Sequence, residues 1–170
     1  GADSNPMDIA IYRDGNANEY LFLPDSGLKS VYRISLYDKE VKNLADDSKL
    51  LSNPSFIYTK ASGIYIMDLT NGVLKATADG SWYTSFSSLT GLSIEDIDAG
   101  DIAEFAVLTT VDNIYVLDRE SKALLKSTNY GSGYGLSSTY LESESFESGN
   151  DVFSDISVYI LTQGQDGIKR

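Results

Sequence analysis

The chain has 170 residues, 42% hydrophobic and 22% charged, enough for a domain with a sizeable core and unlike a disordered segment. Its formal charge of −12 repels phosphate backbones and anionic membranes and attracts cations, so nucleic-acid binding is not expected. Cys and His are both absent, which excludes disulfides, thiol catalysis, Ser-His-Asp and Cys-His mechanisms and His-ligated metals.

The opening Gly1-Ala2-Asp3-Ser4 reads as a processed end, and no stretch reads as a signal peptide or reaches the roughly 18 apolar residues of a membrane span. The first predicted strands are Asp8-Ile9-Ala10-Ile11-Tyr12 and Glu19-Tyr20-Leu21-Phe22-Leu23, separated by the turn residues Asp14-Gly15-Asn16. Asp25-Ser26-Gly27 turns the chain into Val31-Tyr32-Arg33-Ile34. Residues 38–51 hold helix-compatible residues but too few apolar ones for an amphipathic helix. Ser55-Phe56-Ile57-Tyr58 and Ile64-Tyr65-Ile66-Met67-Asp68 follow as strands about the turn Ala61-Ser62-Gly63, and Asn71-Gly72 supplies a tight hairpin turn. Segment 81–92 carries Trp82, Tyr83 and Phe86 among Ser and Thr and reads as an outer strand or an inserted loop. Phe105-Ala106-Val107-Leu108 and Ile114-Tyr115-Val116-Leu117-Asp118 are strands, and Arg119–Lys122 is a wider turn without glycine. Segment 129–150, rich in Gly, Ser and Glu, reads as a long surface loop. Asp151–Asp155 and Val158-Tyr159-Ile160-Leu161 close the series.

An Ile/Val-Tyr pattern recurs at Val31, Ile64, Ile114 and Val158, with separations of 33, 50 and 44 residues. These bracket the roughly 40–50 residues of a four-stranded propeller blade. The prediction is an all-β, β-propeller-like fold: a single domain over 1–170 with about four blade-type repeats, approximately 8–48, 50–80, 90–128 and 135–170. At that blade length four repeats stand at the lower limit of a closed ring, so a partial propeller, or one completed by self-association, is also expected.

The run Ile94-Glu95-Asp96-Ile97-Asp98-Ala99-Gly100-Asp101-Ile102-Ala103-Glu104-Phe105-Ala106-Val107-Leu108, followed by Asp112-Asn113-Ile114-Tyr115-Val116-Leu117-Asp118, resembles an FG-GAP or VCBS-type blade. The opening section, from Asn5-Pro6-Met7 through Tyr20–Gly27 to Val31–Ile34, is similar to NHL or YncE-like blades. The first resemblance implies a cation loop with acids at alternating positions and a later closing acid. Asp96, Asp98 and Glu104 match that pattern, while Gly100 stands at the third ligand position and Asp101 comes one place late.

Ca²⁺, which takes six to eight oxygens, is accordingly the candidate cofactor, with Asp96, Asp98, Asp101 and Glu104 as ligands. A second candidate set is Asp14, Asn16, Asn18 and Glu19; both loops read equally as turns shaped by Asx side chains. Trp82, Tyr83, Tyr130 and Tyr134, in irregular segments, are candidates for a ligand surface, or for hydrophobic cover between blades. Tyr32, Tyr65, Tyr115 and Tyr159 recur inside strands and read as structural. No catalytic residues stand out. The expected function is a non-enzymatic binding or scaffold module outside the cytoplasm (periplasmic, cell-surface or secreted), recognising protein or glycan through propeller-face loops. The alternatives are a calcium-dependent hydrolase or lyase on the same scaffold, and a self-associating structural subunit. Neither nucleic-acid partners nor membrane insertion are expected.

Overall fold

The computed structural model describes residues 3–44, 50–76, 86–88, 102–108, 110–163 and 168–169, with backbone alone at 86–88 and 168–169. Its strands form four antiparallel sheets in which chain neighbours are also sheet neighbours. The first holds β1 (Ala10–Arg13), β2 (Glu19–Asp25), β3 (Ser30–Ser35) and β4 (Val41–Asn43). The second holds β5 (Pro54–Lys60), β6 (Gly63–Asp68), β7 (Gly72–Ala76) and β8 (Phe86–Ser88). The third holds β9 (Ile102–Val107), β10 (Ile114–Asp118), β11 (Ala123–Ser127) and β12 (Ser138–Glu142). A 3₁₀ turn at Glu144–Ser148 leads to the fourth, of β13 (Gly149–Ser154), β14 (Val158–Thr162) and β15 (Ile168–Lys169). The all-β expectation is met by repeated meanders, and each of the first three sheets has the four strands of a blade.

The chain divides into two compact units, Gly1–Leu89 and Thr90–Arg170, each holding two sheets. In the first unit, Tyr12, Phe22 and Val31 share one face of their sheet and cluster with Ile57, Ile64, Ile66, Leu74 and Ala76 of the second sheet. Asp8 ties the two together, its carboxylate accepting the Ile57 N–H at 2.8 Å, while the Thr59 hydroxyl donates to the Ile11 carbonyl. In the second unit β9 lies beside β13, and Leu117, Leu124, Phe146, Val152 and Ile160 are buried. Gly149 is required there by space: a Cβ would stand 2.6 Å from Leu117 Cδ2 and 3.0 Å from the Phe146 carbonyl oxygen. Every residue of β6 and β10 is buried, which explains their unbroken apolar runs, since strands covered on both faces do not alternate.

Three expectations change. First, Val31–Ile34 is not the counterpart of Ile64–Met67: it lies on β3, the third strand of its sheet, whereas the other copies lie on second strands. The true counterpart is β2, which ends in Asp25 as β6 ends in Asp68 and β10 in Asp118. Measured from those strand ends to Thr162 of β14, the repeat spacing becomes 43, 50 and 44 residues, more even than the Tyr-based count. Second, segment 129–150 is not simply a loop, because Ser138–Glu142 pairs with β11 and Glu144–Ser148 forms the 3₁₀ turn. All five β12 residues are exposed, so no apolar alternation marks the strand. Third, β4 occupies part of the segment with helix-compatible composition. The glycine-free turn after β10 closes by placing Lys122 at φ 53°, where the hairpin after β6 uses Gly72 at φ 82°.

Candidate functional site

The predicted cation loops fare differently in what the structure describes. Asp96, Asp98 and Asp101 lie outside the described residues, as do Trp82 and Tyr83. Glu104 is within β9, and its carboxylate accepts the N–H of Phe105. In the other loop, Asp14 Oδ1 accepts the N–H groups of Asn16 and Asn18, both at 2.8 Å, and Oδ2 accepts Asn18 Nδ2 at 2.9 Å. These bonds, led by the Asn18 side chain, hold the Asp14 carboxyl below its ordinary value. Glu19 starts β2, opposite Arg13. The loop therefore has the hydrogen bonding of an Asx turn. No cluster of three or more acids suited to a metal occurs among the described residues.

The acids that organise this fold are ones the motif reading passed over. Asp25, Asp68 and Asp118 each end a second strand and turn their carboxylates onto the hairpin that follows. Asp68 accepts four backbone N–H groups, those of Ser52, Asn53, Thr70 and Asn71. Asp25 accepts the Ser4 hydroxyl and the N–H groups of Asn5 and Leu28. Burial pushes the Asp25 carboxyl up, but the hydrogen bonds from Ser4, Asn5, Leu28 and Gly27 together outweigh it and leave the group below the ordinary 3.8. A carboxyl depressed by folding binds fewer protons in the native state. Its stabilisation is therefore complete above the unfolded value and drains as pH falls through the folded one. Urea midpoints of the wild type should accordingly fall from about pH 4 downward, and Asp25→Asn should lower the midpoint at neutral pH and flatten that fall. An equally steep acid limb in Asp25→Asn would show that Asp25 is not its source.

In the second unit a cleft of about 560 Å³ opens between the third and fourth sheets. Tyr115 and Tyr140 form one wall, edge to face with ring centroids 5.3 Å apart at 76°. Lys126 Nζ lies 5.3 Å from the Tyr140 centroid and 5.9 Å from that of Tyr115. Leu124, Leu141, Ile156 and Ile160 supply apolar lining. Tyr115 is buried, and that burial, with Tyr140 beside it, raises its phenol above 10.0 against a hydrogen bond to the Asn113 side chain. Tyr140 is half exposed, so the pair presents one fixed ring and one accessible ring. Tyr134, a candidate for the ligand surface, donates its hydroxyl to the Asp112 carbonyl at 2.8 Å. Tyr130 is exposed.

A second apolar surface lies in the first unit. Cross-strand pairing aligns Ile11, Leu21, Ile34 and Val41 in one row across all four strands, on the face opposite Phe22. Leu23 and Tyr32 form the next pair along that face, and a dimple of about 200 Å³ lies among Leu23, Leu28, Tyr32, Ile34 and Val41.

No protein-family model matches the chain, and neither does any curated protein. Among solved structures it is similar to the selenomethionine-substituted virginiamycin B lyase of Staphylococcus aureus, with a TM-score of 0.59 and 8% identity. The match covers 92% of this chain and 48% of that one. The chain thus spans about half the length of that protein, and its four antiparallel sheets match about half of a β-propeller. At this identity the likeness concerns the fold alone.

Proposed function

We propose that the protein is a non-catalytic binding module that takes an apolar segment of a partner protein into the cleft between its third and fourth sheets. The observation that carries this reading is the edge-to-face Tyr115–Tyr140 pair in the wall of that cleft. Binding pockets are typically concave and mostly apolar with a few placed polar groups. Tyr140, half exposed and backed by the buried Tyr115 ring, offers aromatic contact area at low entropic cost. The Leu and Ile lining favours aliphatic or aromatic side chains over a hydroxyl-rich glycan.

The test is selection from a random peptide library displayed on phage, followed by calorimetric titration of the selected peptides. They should share aromatic or branched apolar anchors, and Tyr140→Ala should weaken them about 10-fold or more. A glycan array bound in a Tyr140-dependent way would keep the cleft and replace the protein ligand. Peptides and glycans indifferent to both Tyr140→Ala and Ile156→Asp would remove the cleft as the binding site.

A further inference from the structure

The third sheet ends in an open edge beside the cleft. β12 is its outer strand, paired with β11 on one side, and all five residues Ser138–Glu142 are exposed. An edge strand presents a row of unpaired N–H and C=O groups, a template for another extended chain. β12 runs five residues where β4, the outer strand of the first sheet, runs three. It carries no lysine and no proline, the residues that most directly deter such pairing. Its irregularity, a bulge, serves the cleft: Thr139 pairs with Leu125 and Leu141 with Leu124, so Tyr140 is the extra residue. Neighbours on a strand ordinarily face opposite sides, yet Tyr140 and Leu141 both line the cleft, 55% and 47% exposed. The two ends of β12 also differ in charge. Ser138 pairs with Lys126, and residues 127–141 carry no charge. Glu142 stands at the other end, followed by Glu144 and Glu147. One ammonium serves the latter two, Lys122 Nζ lying 2.6 Å from Glu144 and 3.2 Å from Glu147, while Arg119 and Glu120 beside them cancel. This end therefore stays acidic.

We propose that β12 takes up an extended basic and apolar segment of a partner protein as an added strand. An apolar side chain of that segment packs against Tyr140 and Leu141, and a lysine or arginine lies at the Glu142 end. The proposal deepens the cleft reading and rests on it for the apolar anchor. Backbone groups along an edge are matched by the backbone of another strand, with alternate side chains supplying specificity, which favours an extended polypeptide over a helix or a small molecule. The acidic end, in a chain of net charge −12, selects a basic segment and disfavours a second copy.

The test is calorimetric titration of the full chain with a synthetic peptide of about eight residues that alternates threonine with valine, has phenylalanine at its centre and carries paired lysines at one end. Two versions, with the lysines at either end, cover parallel and antiparallel addition. One of them should bind with Kd in the µM range, and replacing its lysines by glutamates should weaken it about 10-fold or more at low salt. Peptide N-methylation separates strand addition from side-chain docking, because alternate N–H groups of a strand point to opposite sides. Methyl groups on one alternate set should weaken binding about 30-fold or more, and on the other set less than about 3-fold. Amide hydrogen exchange within Ser138–Glu142 should slow about 10-fold or more in the complex. Glu142→Lys should weaken the lysine peptide about 5-fold and tighten the glutamate one, with near-ultraviolet circular dichroism unchanged because Glu142 is exposed. No binding by either version at mM concentrations, or tolerance of methylation in both sets, would overturn the added strand. Phage-selected peptides that need Tyr140 yet tolerate methylation throughout would keep the cleft and remove the strand. The expected methylation pattern with indifference to Tyr140→Ala would remove the anchor in the cleft and leave the edge as the site.

Discussion

Asp68→Asn is expected to destabilise the protein by about 3 kcal/mol or more, nearly as much as Asp68→Ala, because each buried N–H left unsatisfied costs about 1–3 kcal/mol. The side chain is fully buried. Its Oδ2 accepts Ser52 N–H at 2.6 Å and Asn53 N–H at 2.8 Å, and its Oδ1 accepts Thr70 and Asn71 N–H, both at 2.9 Å. An amide has one oxygen, so in either orientation its NH₂ group must face two N–H donors. Asp118 makes the control. Its Oδ1 accepts two N–H groups, from Glu120 and Ser121, while its Oδ2 meets the Ser121 hydroxyl. A hydroxyl can rotate and accept from an amide. Asp118→Asn should therefore stay within about 1 kcal/mol of wild type. Urea denaturation with fitted slopes measures both. Equal costs for the two substitutions would show that donor geometry does not decide the outcome.

The same carboxylates show what could be read from the residues and what could not. Apolar runs bounded by Gly, Asn and Asp turns sufficed for the meanders and for roughly blade-length repeats. The phase of the first repeat did not follow, because β2 and β3 are apolar on both faces and either matches an Ile/Val-Tyr pattern. The better marker is the Asp that ends each second strand, a polar residue whose role appears only when the N–H groups of the next turn are seen pointing at it. β12 escaped notice for the opposite reason: a wholly exposed strand carries no burial periodicity. The cleft needed tertiary pairing. Tyr115 and Tyr140 stand 25 positions apart, one in a strand that reads as structural and one in a segment that reads as loop, and only the β10–β11–β12 ladder brings them together.

The two faces of the first sheet also differ in burial at adjacent residues. Phe22→Ala should cost about 3–5 kcal/mol, the range for deleting a buried aromatic side chain, out of a total stability of roughly 5–15 kcal/mol for a domain. Phe22 is fully buried and meets Tyr12 edge to face at 6.3 Å and 82°. Its place between Ala10 and Arg33 in the cross-strand row gives the surroundings little freedom to collapse into the cavity. Tyr37→Ala, which removes an exposed ring in the same unit, should shift stability by no more than about 0.5 kcal/mol. Leu21, one residue before Phe22, points to the opposite face and is only half buried. Leu21→Ala should therefore cost less than Phe22→Ala in urea denaturation. Phe22→Ala should lower the urea midpoint by the larger amount. Equal costs for Phe22→Ala and Leu21→Ala would show that burial on this sheet does not decide the outcome.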